Sequence, residues 1–437
     1  MNTNGRAFRL SYLGLRLSLV ALPYLLYASL VGLSVIIVFL LATLKKTTLD
    51  RFTHHSLLAI SGLMVLSSWF ALNPGEAFLQ LTNFFPFFLL FGVLPVLLRG
   101  VEQLEQVAMD LVIASIPINI ISVFEYLLKA PWLSRDIQRL PFVKWIRSAP
   151  HKGRAMLMFN HPNALANYLV LMLGLGLGLI LKQAIEKRFE HNLSTASHAT
   201  QQPNTPGIKL RIKLLYSATF LTLVGIFCSG SRNGLIIAIS QLIVFSLLIK
   251  TNRTIRLAGI LSLVGTLTVA AVLGIGGRSL SPESWANDPR LRVWQIAIEL
   301  IQERPWLGWG LGNYKFLYPT FPHDPEYDAI FHPHNFWLLL SSEAGIPLMI
   351  LFTFLVGYIC YKGLKLLVLQ QIKPPENMLL AGYLLAFWGC IAFALFDVTL
   401  FDARINVVNW MVLGGIYSFQ FPELLPDQTF PNPKSKI

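Results

Sequence analysis

His332, Pro333, His334 and Asn335 stand at the mouth of an apolar run, where an uncharged imidazole is suited to act as a general base. Upstream, Arg290 opens the amphipathic stretch RLRVWQIAIELIQE, and Arg232 follows the tight turn Ser229-Gly230-Ser231 at the rim of another apolar run. A guanidinium binds phosphate oxygens through paired N–H bonds and does not lose its charge. Other roles stay open for the same residues. His-x-His near His323, Asp324 and Asp328 offers the donor types of a metal site. His334 also fits a structural place at the interface, Arg232 fits snorkelling toward headgroups, and Arg290 fits a first-turn arginine that frays or snorkels into water.

The residues from 285 to 349 must position these groups. Asp288-Pro289 has the form of an N-cap followed by proline at the first helical position. In the helix that follows, Arg292, Gln295, Glu299, Gln302 and Glu303 share one face, and Trp294, Ala297, Ile298 and Ile301 the other. Arg290 falls in the middle of the apolar face, where it needs an anionic partner. The helix stops at Arg304-Pro305. Gly308, Gly310 and Gly312 in WLGWGLGNY then allow a tight turn, with the tryptophans at the membrane interface. They follow a helix rather than a strand, which excludes a dinucleotide-binding fingerprint. Glu343 lies inside the next apolar run, so it pairs or faces a cavity.

Composition sets the frame. Of 437 residues 54% are hydrophobic and 13% charged, with mean hydropathy +0.58, against about 25% charged in soluble domains. The chain is an all-α polytopic integral membrane protein. Apolar runs of about 20 residues per crossing predict about twelve transmembrane helices: 12–27, 28–44, 56–71, 78–98, 105–128, 162–182, 211–229, 232–250, 254–273, 335–361, 377–396 and 402–420. Gly174, Gly176 and Gly178 signal close helix contact. Cys228, Cys360 and Cys390 lie in apolar runs, so no disulfide framework is implied.

Basic loops orient the chain. Lys45, Lys46, Arg51, Arg99, Lys182, Lys187, Arg188, Lys250, Arg253, Lys362 and Lys373 fall on the side of both termini, which is cytoplasmic by the positive-inside rule. Residues 1–420 then form one membrane domain with outward loops 129–161 and 274–334, a large outward loop carrying the amphipathic helix, and a flexible cytoplasmic linker at 183–210. Residues 421–437 read as a disordered cytoplasmic tail. The net charge of +13 points to anionic membrane lipids and not to nucleic acid. The 129–161 loop departs from the rule, with Lys129, Arg135, Arg139, Lys144, Arg147, Lys152 and Arg154 against Asp136. It fits either headgroup contact or a basic funnel for an anionic lipid substrate. Asn160-His161-Pro162-Asn163 begins and caps a helix, and Asp397, Asp402 and Arg404 form either a structural ion cluster or part of a site.

Three segments carry a resemblance. FCSGSRNG with Arg232, the R-x-x-x-W of Arg290 to Trp294 continuing through ERPWLGWGLGNY, and HN followed after nine residues by Gly345 resemble the O-antigen ligase and polymerase superfamily of membrane glycosyltransferases. Order and spacing cover most of residues 160 to 420. Leu348 departs from the small or aromatic residue common after the glycine. RPWLGWGLGN and LFDVTLF also resemble a branch of inorganic-carbon accumulation proteins. The superfamily resemblance implies an all-helical fold in the bacterial inner membrane with its site on the periplasmic face. It implies transfer of a glycan from an undecaprenyl diphosphate carrier to lipid A core or another glycolipid or glycan acceptor, with inversion and without metal or other cofactor. His334 is then the catalytic base, and Arg232, Arg290, Asn335 and Arg154 bind substrate. A polysaccharide polymerase and a bicarbonate transport or accessory protein are the alternatives.

Overall fold

The computed structural model describes residues 3–43, 49–130, 133–148, 151, 153–197, 206–248, 253–273, 290–323 and 330–420. Among them the regular structure is entirely helical. The helices are α1 Thr3–Ala21, α2 Leu26–Thr43, α3 Arg51–Trp69, α4 Pro74–Gln80, α5 Phe85–Leu97, α6 Val101–Ala114, α7 Ile116–Lys129, α8 Arg135–Gln138, α9 Pro141–Ser148 and α10 Pro162–Ser197. They continue as α11 Pro206–Cys228, α12 Arg232–Leu248, α13 Arg253–Leu273, α14 Arg290–Glu303, α15 Tyr314–Leu317, α16 Phe336–Ala344, α17 Ile346–Val368, α18 Pro374–Ala394 and α19 Ala403–Gln420. Among the described residues, seven segments are long and apolar enough to cross a membrane: Leu26–Thr43, Pro74–Leu97, Val101–Lys129, Pro162–Arg188, Lys209–Cys228, Ile346–Val368 and Pro374–Ala394.

Helix α10 is the axis of the fold, buried along the whole of its apolar span. Lipid tails are as apolar as leucine, so close backbone packing must hold helices together there. The glycines supply it. A Cβ on Gly174 or Gly178 would run into the backbone of α18 at Ala386 and Gly382, and one on Gly176 would strike Thr219 of α11. Buried amides add directed contacts: Gln241 of α12 donates to Val170 O of α10 at 3.1 Å and Leu385 O of α18 at 2.9 Å.

Several expected spans are broken, each beside a proline or a glycine. The first turn lies between Ala21 and Leu26 around Pro23, ahead of the expected break at Tyr27. The 78–98 run is interrupted before Phe85-Pro86, and the 105–128 run at Ser115, ahead of Pro117. The 335–361 run splits at Gly345, whose φ of 89° suits glycine, and α17 restarts with proline in its first turn. The expected flexible linker at 183–210 is helical as far as Ser197. Its first residues are good helix formers, and Lys182 bridges Glu186 one turn on. Residues 198–205 of that linker, the tail 421–437, Asp288-Pro289 and the rest of 274–289 lie outside the described residues.

Candidate active site

Residues 304–313, between α14 and α15, are wound around the break in the α16–α17 pair. Gly308, Gly310 and Gly312 all have positive φ, which lets the chain turn tightly against α16. Trp309 N–H donates to Ser342 O at 2.9 Å, Gly310 N–H to Glu343 O at 2.7 Å, and Ile346 N–H to Pro305 O at 2.8 Å. The buried Glu343 side chain accepts the Tyr314 N–H at 3.1 Å, which gives that carboxyl the partner its position demands. The two expected interfacial tryptophans differ. Trp306 is 76% exposed, whereas Trp309 lies under the Arg304 guanidinium and donates to Leu300 O at 3.0 Å.

This frame holds α14 against the helix that begins beside His334. The buried stripe of α14 is Val293, Ile296, Ala297 and Leu300. Ile298, expected on the apolar face, is 46% exposed. Arg290, next to Ala297 on the helix wheel, therefore sits at the margin of the buried stripe rather than in its middle. It is partly exposed at the start of the helix.

His334 itself has φ 51°, a conformation uncommon outside glycine. Its backbone N–H donates to His332 Nδ1 at 3.3 Å. Its own Nδ1 meets Asp397 Oδ1 at 3.1 Å, with 28% of its side chain exposed and 7% of the aspartate's. Asp397 Oδ1 also accepts the Val398 N–H at 2.9 Å, and Oδ2 accepts the Asn163 amide N–H at 2.6 Å. Burial opposes the charge on Asp397, but the His334 hydrogen bond and charge, His332 and Asn163 outweigh it and hold the carboxyl well below its usual range. In the neutral form of His334, an ionised Asp397 keeps the hydrogen on Nδ1 and leaves the Nε2 lone pair available.

The support extends one layer further. Arg154, only 5% exposed, donates from Nη2 to Asn163 Oδ1 at 3.0 Å and from Nε to Ser229 O at 2.9 Å. Lys129 in turn donates to Arg154 O at 3.0 Å and pairs with Glu125, which accepts the Met156 and Leu157 N–H groups. The Ser229 turn leads directly into Arg232 at the first residue of α12. Arg154, Asn163, Asp397 and His334 thus form one chain of polar contacts, joined to Arg232 through that turn. His161, expected as part of a cap, accepts the Asn163 N–H on Nδ1 at 3.1 Å. Burial lowers the pKa of His161 to about 4, and burial followed by the charge on His334 lowers that of His332 to about 4.

Asn335 caps α16 by accepting the Leu338 N–H at 3.0 Å and donates to Leu395 O at 3.0 Å, so both ends of its amide are committed to holding the His334 turn. Of the other expected metal donors, His323 bonds to Phe321 O at 2.6 Å, and Asp324 and Asp328 lie outside the described residues. His-x-His is instead completed by Asp397: ligand atoms of His332, His334 and Asp397 lie within 4.8 Å of one another. Asp402 and Arg404 pair with each other at 3.2 Å. Sequence reasoning treated Asp397 together with these two and assigned Asn163 to a cap. No local pattern marks either as a partner of His334.

Below the site lies an apolar cavity of about 160 Å³, lined by Phe336, Trp337, Phe352, Cys390, Trp410 and neighbouring residues. On the 129–161 loop, α8 and α9 expose Arg135, Arg139 and Lys144 alongside Phe142 and Trp145. This combination suits a helix lying in a headgroup layer. Arg147 is turned inward, donating to Leu128 O and Ala130 O at 3.0 Å each.

No curated protein matches the chain. Residues 217–353, from within α11 into α17, match the family described as O-antigen ligase. The match contains Arg232, Arg290, His334 and Asn335, so over that stretch the chain is similar to the O-antigen ligase family, in a protein with several helices apolar enough to cross a membrane.

Proposed function

We propose that this protein transfers a glycan from an undecaprenyl diphosphate carrier to lipid A core, or another glycolipid or glycan acceptor, at the periplasmic face of the bacterial inner membrane. The observation that carries this reading is the contact of His334 Nδ1 with the buried Asp397 carboxylate at 3.1 Å, with Arg232 and Arg290 at the first residues of α12 and α14. Asp397 orients the imidazole, and Nε2 takes the proton of the acceptor hydroxyl. The hydroxyl oxygen attacks the anomeric carbon from the face opposite the diphosphate. The bond from that carbon to the diphosphate oxygen breaks, and its electron pair leaves with the lipid diphosphate. One displacement of this kind inverts the anomeric centre. Arg232 and Arg290 hold the departing charge as fixed cations, which needs no metal.

Arg154 and Asn335 take positioning roles in this scheme, because their polar atoms are directed at protein partners. The apolar cavity beneath His334 is suited to hydrocarbon from a lipid-borne substrate. A polymerase would use the same residues and differ only in its acceptor, a growing glycan.

The test is transfer by purified protein with a lipid-diphosphate glycan donor. His334→Ala should bind donor normally and lose transfer by about 100-fold or more, the usual scale of general-base removal. Near-normal transfer by that variant returns His334 to a structural role. For the inorganic-carbon alternative, the decisive pattern is reduced bicarbonate uptake with a normal glycan profile in cells lacking the protein.

A further inference from the structure

We propose that His332, His334 and Asp397 form a binding site for a zinc-type transition-metal ion, and that its occupancy arrests transfer. The binding half stands on geometry alone; the arrest rests on His334 acting as the base.

Each of the three residues offers a ligand atom within 4.8 Å of the other two. The 3.1 Å between His334 Nδ1 and Asp397 Oδ1 is close to the edge of a tetrahedral zinc site, about 3.3 Å for bonds of about 2.0–2.1 Å. Two imidazoles and one carboxylate suit zinc better than magnesium or calcium, which favour oxygen ligands. His332 accepts the His334 backbone N–H on Nδ1 at 3.3 Å, so Nε2 is its nitrogen left for a metal. The two rings lie edge to face with centroids 4.6 Å apart.

The surroundings hold the ligands in place. Asn163 fixes the second carboxylate oxygen at 2.6 Å, the kind of outer contact that orients metal ligands. Arg154 is directed at Asn163 and Ser229 O. His161 also faces Asp397 and has its Nδ1 engaged by the Asn163 N–H. The site therefore presents one carboxylate and two nitrogen donors to an ion arriving from the exposed edge of His334.

Occupancy and base function exclude each other. In the metal-free protein the hydrogen of His334 is on Nδ1 and the lone pair on Nε2. A metal bonded to Nδ1 takes the place of that hydrogen, which moves to Nε2 by way of water, with no net gain or loss of protons. An Nε2 that carries a hydrogen cannot accept one from the acceptor hydroxyl.

The experiment uses the full-length protein in detergent, Zn²⁺ as the probe and a chromophoric chelator as competitor, with transfer assayed in parallel. The key variant is His332→Asn, whose amide oxygen can still accept the His334 N–H but which lacks Nε2. Wild type should bind one equivalent of zinc and stop transferring when saturated. His332→Asn, with its unfolding temperature and donor binding checked against wild type, should bind zinc at least about tenfold more weakly and lose zinc sensitivity by the same factor. Asp397→Asn should lose zinc binding as well. Absence of zinc binding, or equal affinity in wild type and His332→Asn, overturns the site and leaves the base assignment standing. Zinc bound with one equivalent while transfer continues overturns the arrest and the base assignment together.

Discussion

Replacing Asp397 by asparagine removes a charge but almost no volume, and the contacts around it foretell the consequence. The carboxylate accepts three hydrogen bonds: from His334 Nδ1 at 3.1 Å, Val398 N at 2.9 Å and Asn163 Nδ2 at 2.6 Å. An asparagine has one acceptor oxygen and must turn its NH₂ toward either Asn163 or His334. Facing Asn163, it meets another NH₂, and Asn163 cannot invert without presenting donors to the Arg154 guanidinium that its oxygen now serves at 3.0 Å. Facing His334, it sacrifices the Val398 N–H acceptor, at about 1–3 kcal/mol, and makes Nδ1 the accepting nitrogen. The second arrangement avoids setting a charged donor against a donor, so it should prevail. The hydrogen of His334 then resides on Nε2 and the base is lost. A misplaced tautomer removes the general-base contribution, about 10²–10⁴ in rate, or about 2.7–5.4 kcal/mol of barrier. The assay is steady-state transfer with separate titration of donor binding. The kcat should fall by that factor with donor affinity near wild type, and His334→Ala combined with Asp397→Asn should be no slower than His334→Ala alone. Transfer by Asp397→Asn within about threefold of wild type would refute the reasoning.

Three further outcomes follow from the structure. Arg290→Ala should weaken both donor binding and turnover, and Arg290→Lys should restore only part, since an ammonium does not reproduce the two-pronged guanidinium contact; full recovery in a donor titration would count against a diphosphate role. A Cβ at Gly382 would lie 2.6 Å from Gly178 Cα, so Gly382→Val should separate α10 from α18 and cost at least about 1–3 kcal/mol; an unchanged unfolding temperature in detergent would contradict that packing. Stability should also fall as the pH drops from about 6.5 toward 4. The folded protein keeps His161 and His332 neutral down to about 4, while the unfolded chain protonates them near 6.5 and so binds more protons in that window. Asp397, whose pKa is depressed, adds slope of the same sign only below about pH 5, where the unfolded carboxylate begins to protonate. Thermal unfolding followed across this range, with His161→Asn and His332→Asn flattening the dependence, checks the assignment.

The capped turn at His334 was legible because a histidine with a capping asparagine just before an apolar run is a local pattern. The three glycines of the WLGWGLGNY turn were legible for a similar reason, since alternating glycines after a helix stop have few uses other than a tight turn. Arg154 was visible only as one cation among seven in a basic loop. Its burial against Ser229 and Asn163 depends on how α7, α10 and the α11–α12 turn meet.

The membrane class, the helical content and the existence of an arginine- and histidine-bearing loop follow from the sequence alone, because each depends on composition or on residues within a few turns of one another. The breaks at Ser115 and Gly345 were harder to read. An apolar run has the same hydropathy whether it is one helix or two, and neighbouring packing chooses between them. Only the tertiary structure decided the partners of His334. Asp397 is 63 residues from His334, and Asn163 is 234 residues from Asp397. Their meeting is set by the close glycine packing of α10 on α18, which brings the start of one helix beside the end of the other. A contact of that kind leaves no periodicity in the chain, since it is a property of two surfaces and not of either segment.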